Sequence, residues 1–122
     1  MSQIPLSSVK LGIVCPMANE IDTAKAFVDA VLANCVGFDS VTFFAVFDRA
    51  SQDGTLDILT QLAATDKRVC VVWDAHSRCV VDAYVRGYQE AIDTQCDWIL
   101  EIDAGFSHNP AEIPKFFDKM QQ

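Results

Sequence analysis

An α/β domain with a mostly parallel sheet and helices on both faces is the fold class this sequence predicts, and three observations predict it. Short β-rich runs alternate with longer segments of helical period, the pattern of βαβ units. The β-rich runs are nearly continuous in apolarity, as strands covered on both faces must be. The 122 residues, 51% hydrophobic and 21% charged, with eight phenylalanines and two tryptophans, suffice for one packed core and are too few for two domains.

Taken in order, residues 1–8 are polar with a lone proline and are expected to form a short N-terminal arm on a single domain. Strands are predicted over 9–15, 41–47, 69–73 and 98–102, all in the sheet interior. Between the first two, Ile21, Ala24, Phe27, Val28, Val31, Leu32 and Cys35 recur at spacings of three and four, which predicts a helix with one apolar face ending near Gly37. Leu56, Leu59, Leu62 and Ala63 mark a second helix. Val81, Tyr84, Val85, Tyr88, Ala91 and Ile92 mark a third by the same arithmetic. Asn109, Pro110 and Glu112 form a helix-start signal: a capping side chain, a proline at the first helical position and a reciprocal acid. Ile113, Phe116, Phe117 and Met120 follow as one face, which must dock on the sheet or meet a partner.

Seventeen acidic against nine basic residues give a net charge of −8, which repels a nucleic-acid backbone and an anionic membrane surface alike. A nucleotide remains an admissible ligand if a divalent cation, helix N-termini or a few local bases offset its phosphates. No apolar run is long enough to span a bilayer and no basic segment precedes an apolar one at the start, so the expected location is the cytoplasm. Five cysteines, Cys15, Cys35, Cys70, Cys79 and Cys96, are odd in number and form no C-x-x-C pair. They fit reduced thiols, mostly small core residues, better than a disulfide frame or a zinc site.

In an open parallel sheet ligands bind beyond the carboxyl ends of the strands, so the loops after the strands carry the candidate chemistry. The first has Pro16, Asn19 and Glu20; the second Asp48, Ser51, Asp53, Gly54 and Thr55; the third Asp74, His76 and Arg78; the fourth Asp103, Ser107 and His108. Converging carboxylates repel one another unless a cation or ligand donors offset them, which makes a metal-nucleotide site a reasoned expectation. Each piece alone has a plainer reading. Asp53-Gly54-Thr55 serves as a turn and helix cap, Asn19 as a cap for the first helix, and Asp103 as a turn residue. His76 and His108 lack partners at metal-ligand spacing, and Cys15 and Cys79 lack the neighbours of a nucleophile.

The order of the blocks is more specific than any one of them. Cys15-Pro16-Met17-Ala18-Asn19-Glu20 follows the first strand, and Asp48-Arg49-Ala50-Ser51-Gln52-Asp53-Gly54-Thr55 follows the second. Ala83-Tyr84-Val85-Arg86-Gly87 lies in the third helix, and Ile102-Asp103-Ala104-Gly105-Phe106-Ser107-His108-Asn109-Pro110 follows the fourth strand. Together they resemble the inverting family-2 glycosyltransferases of the GT-A fold, nearest the dolichol- or polyprenyl-phosphate mannosyltransferase type.

The resemblance implies a three-layer, Rossmann-like nucleotide-binding half and a nucleotide-diphosphate sugar as partner. It places Pro16, Asn19, Glu20, Asp48, Asp53 and Asp103 in the donor site. It also implies Mg²⁺ or Mn²⁺ held by an Asp-x-Asp motif through Asp103, and transfer of the sugar to a polyprenyl phosphate or other acceptor. No residue is singled out as a catalytic base, since an ionised phosphate acceptor needs none.

This sequence departs from the family pattern at three places. Gly105 stands where the motif has its second Asp, removing one carboxylate ligand. Arg49 stands where the base-binding motif has a second Asp, and Cys79 and Val81 replace two glycines at the entry to the third helix. The family's domain also continues past this strand into acceptor-binding segments, so residues 1–122 are expected as a truncated domain. A second reading therefore stands beside the transferase: a non-catalytic nucleotide- or protein-binding module, self-associating through its sheet edge or its Phe116 and Phe117 face.

Overall fold

The computed structural model describes residues 4–104 and 109–120. Four strands, β1 (Lys10–Pro16), β2 (Ser40–Phe47), β3 (Val69–Trp73) and β4 (Trp98–Glu101), form one sheet in the order β3-β2-β1-β4. Every pairing is parallel, with Cys15 opposite Ala45 and Pro16 opposite Val46 where β1 and β2 run out together. The helices are α1 (Ala24–Ala33), α2 (Thr55–Thr65), α3 (Val80–Asp93) and α4 (Ile113–Met120), the last entered through a 3₁₀ turn over Pro110–Glu112.

Alternate side chains of the strands serve opposite faces, as the period of two requires. Leu11, Ile13 and Cys15 of β1, with Phe43, Ala45 and Phe47 of β2, join the buried faces of α1, α2 and α4 in one core. Val14, Phe44 and Val46 meet α3 in a second, smaller core on the other side. The result is the expected three layers, three helices on one face and one on the other.

The expected sheet interior holds only for β1 and β2. Among the described strands β3 and β4 lie at the edges, and β4 is half-buried over Trp98, Ile99 and Leu100 with Glu101 exposed. Ile21 lies outside α1 and is exposed, since the chain turns before the helix begins at Ala24. That helix stops at Ala33, before Gly37.

The apolar face predicted for α3 is rotated. Ala83, Gly87 and Ala91 are the residues buried against the sheet, with Tyr84 and Tyr88 flanking them, whereas Val81 and Ile92 are 63% and 65% exposed and Val85 is exposed as well. The reason is steric: a Cβ on Gly87 would lie 2.2 Å from Val14 Cγ1, so this helix rides close to the strands on its smallest side chains.

The last helix begins as the signal implies, with the Asn109 side chain accepting from the Ala111 backbone N–H at 3.0 Å. Glu112 makes no reciprocal cap bond in the described structure; its carboxylate pairs with Lys115 at 2.7 Å. The four apolar residues also divide. Ile113 and Phe117 are buried, Phe117 edge-on to Phe38 at a centroid separation of 4.8 Å, while Phe116 and Met120 face outward. Phe117 is therefore unavailable to a partner.

Candidate functional site

The loops after β1 and β2 are fastened to each other. The Asn19 side chain donates to the Ala50 carbonyl at 3.0 Å and accepts from the Gln52 N–H at 2.8 Å. Ser51 Oγ donates to the Ala18 carbonyl at 2.9 Å, and the Ile21 N–H donates to Asp53 Oδ2 at 3.1 Å. At the centre is Thr55, fully buried: its hydroxyl donates to Asp53 Oδ1 at 2.5 Å and accepts from the Glu20 N–H at 2.9 Å. Gly54 supplies the φ of +96° that lets the chain turn from this knot into α2.

These bonds decide between readings left open by the sequence. Asn19 caps no helix, because the residue before α1 is Thr23; it ties two loops together. Asp53 combines the turn role with a cross-loop bond to Ile21. Asp48 sits half-buried at the end of β2, with Oδ1 accepting from the Ala50 N–H at 2.8 Å.

The Thr55 hydroxyl, with the backbone N–H groups of Thr55 and Ile21, holds the Asp53 carboxyl below its ordinary value of 3.8. A carboxyl whose folded pKa is depressed adds stability that is complete above its unfolded pKa and drains away as pH falls through the folded one. The urea midpoint is therefore expected to fall as the solution is acidified below about pH 4, and to fall less steeply in Asp53→Asn. Equal slopes in the two proteins would count against this role.

Over the fastened loops lies a cavity of about 560 Å³. Pro16, Met17, Ala18 and Glu20 form one wall, and Asp48, Arg49 and Ala50 a second. Ser77, Arg78 and Cys79, leading into α3, close the third side, with Val46 and Ala83 as the floor. Of the six residues expected in the donor site, Pro16, Glu20 and Asp48 thus line this cavity. Asn19 and Asp53 tie together the loops that form it, and Asp103 is not among the lining residues.

Asp103 is exposed just past β4, its Oδ1 accepting from the Tyr84 hydroxyl. Burial, then this bond and the carboxylate's charge, raise the Tyr84 pKa, so the phenol stays a donor. Ser107 and His108 lie outside the described residues, as does the backbone at Gly105.

The thiols divide by place. Burial, with Glu20 and Asp103 adding to it, drives the Cys15 pKa strongly up, and burial takes Cys35 to about 12. Both are inert core residues. Cys79, expected as structural, is exposed on the cavity wall instead.

A parallel sheet with helices on both faces and a cavity beyond the carboxyl ends of its two inner strands is a Rossmann-like arrangement. Residues 12–122 match Glycosyl transferase family 2, and the chain belongs to that family. It is 32% identical over 76 residues to an undecaprenyl-phosphate mannosyltransferase of Micrococcus luteus, an alignment covering 62% of this chain and 31% of that protein. It is 24% identical over 113 residues to the undecaprenyl-phosphate 4-deoxy-4-formamido-L-arabinose transferases of Pectobacterium atrosepticum and Pectobacterium carotovorum, covering 92% of this chain and 34% of each relative. The chain thus spans about a third of the length of the curated relatives it matches. Among the described residues no helix is long and apolar enough to cross a membrane.

The family typically uses a divalent metal. This chain's residues fit one poorly. Asp103 offers a single carboxylate already engaged by Tyr84, position 105 carries no side-chain oxygen, and no three His, Cys, Asp or Glu among the described residues come together as a ligand set.

Proposed function

We propose that the cavity holds the nucleoside diphosphate part of a nucleotide sugar, and that the protein serves transfer of that sugar to a polyprenyl phosphate. The carrying observation is the convergence of Pro16, Glu20 and Asp48 on one cavity at the carboxyl ends of β1 and β2. Carboxylates at that depth are acceptors suited to the hydroxyl and N–H donors of a ribose and a base. The undecaprenyl-phosphate transferases among the relatives support the acceptor class. In such a transfer the sugar carbon passes in line from the leaving diphosphate to an acceptor phosphate already ionised, and the fold's part is to position the donor.

Calorimetric titration with UDP and GDP tests the reading. One of the two is expected to bind, and Asp48→Asn to weaken it about tenfold or more, the value of a hydrogen bond to a charged acceptor. Asparagine retains the oxygen that receives the Ala50 N–H, so the loop stays in place. Unaltered affinity in the variant would remove Asp48 from the site.

A non-catalytic nucleotide-binding module is the second reading, favoured by Gly105 at the place of a carboxylate ligand. It separates from the first by turnover: nucleotide binding without hydrolysis or transfer of the sugar supports the module.

A further inference from the structure

Two of the chain's nine basic residues, Arg49 and Arg78, lie on the wall of this one cavity, brought there by the loops after β2 and β3. In a protein of net charge −8, a pyrophosphate entering the cavity needs local positive charge, and the carboxylates Glu20 and Asp48 on the same walls add to that need. Among the described residues no three ligands gather to hold a cation that would meet it, and Asp103 brings one carboxylate whose Oδ1 already accepts from Tyr84. Resting on the reading of the cavity as a nucleotide-sugar site, we infer that Arg49 and Arg78 take the diphosphate directly, so that this chain binds a nucleoside diphosphate without a divalent cation.

The local chemistry suits that task. A guanidinium presents planar paired donors that match phosphate oxygens two at a time. The Arg49 guanidinium has no hydrogen bond or ion pair to any described residue, and its exposed place beside Asp48 puts it at the cavity mouth. Arg78 is anchored without being buried. Its backbone N–H and its Nε both donate to Asp82 Oδ2, at 3.0 and 3.3 Å, while its side chain remains 87% exposed.

The test is calorimetry on the whole chain with GDP and UDP in excess EDTA, then with Mn²⁺ replacing EDTA, and with the matching nucleosides as phosphate-free probes. The expected result is binding of one diphosphate in EDTA, weakened about tenfold by Arg49→Ala and by Arg78→Ala and only partly restored by the lysine variants, which keep the charge without the paired donors. Nucleoside binding is expected to be the same in the parent and all four variants. Both side chains are exposed, so these substitutions leave the core intact, and a circular-dichroism melt of each variant verifies it. Diphosphate binding that appears only with Mn²⁺, or that is unchanged by both alanine variants, would overturn the inference while leaving the nucleotide site standing. Failure of every nucleotide and nucleoside to bind under both conditions would overturn the nucleotide site and the inference together.

Discussion

Gly87→Val is expected to lower the stability of the fold by about 3 kcal/mol, the upper range for forcing atoms into a packed core. The first added carbon would already stand 2.2 Å from Val14 Cγ1 and 3.2 Å from Val46 Cγ2. Both valines are buried, Val14 within β1 and Val46 close to the end of β2, so neither has open space to turn into. Valine is a better helix former than glycine, but that gain is only a few tenths of a kcal/mol and does not change the sign. Helix α3 would have to lift from the sheet, loosening the side of the cavity that it carries. Urea denaturation measures the effect, with Val85→Ala as the control: that side chain is on the exposed face and its loss should stay within about 0.5 kcal/mol. Equal stability of Gly87→Val and the parent would mean that the close approach of helix and sheet is dispensable.

Thr55→Val is the second large effect, expected at about 2 kcal/mol. The substitution keeps the shape and volume of a fully buried side chain and removes only its hydroxyl. The Glu20 N–H then loses its partner, and Asp53 Oδ1 keeps only the Thr55 backbone N–H. Because the hydroxyl links the loop after β1 to the loop after β2, the damage should reach function as well as stability. Nucleotide affinity in Thr55→Val is expected to fall although Thr55 does not line the cavity. A variant that loses stability but binds as before would show that the knot supports the fold alone.

The sheet was legible in the sequence because its strands are runs of bulky apolar residues, and such runs leave few alternatives; alternation with helices calls for parallel pairing, while the order 3-2-1-4 is what the family resemblance implies. The contact face of α3 was not. Periodicity weighs hydrophobic bulk, so it selects Val81, Val85 and Ile92, while the docking is done by Ala83, Gly87 and Ala91, whose merit is their smallness. Adjacent Phe116 and Phe117 posed a related problem, since a period cannot tell which of two neighbours turns inward. The roles within the cavity were half legible. Spacing after a strand places Asp48, Asn19 and Asp53 at the right edge of the sheet, but it carries no information on side-chain direction. Only geometry separates the carboxylate that lines the cavity from the amide and carboxylate that tie its loops together. The contribution of Cys79 and Ala83 to the wall had a weaker signal, the position of the helix start one loop beyond β3. The pairing of Tyr84 with Asp103, nineteen residues apart, had no local signal.

The hydrogen bonds around the cavity are unevenly shared among its three sides. The segments after β1 and β2 are bolted together by bonds that cross from one to the other, whereas the segment from Asp74 to Cys79 closes mainly on itself and on the start of α3. The third side still meets the end of β2, where the Asp74 N–H donates to the Phe47 carbonyl at 2.8 Å. The first two sides, already tied together, give up little freedom when something is gripped, so their contacts can act as a template for shape. The cost of ordering on binding then falls mostly on the segment that bears Arg78.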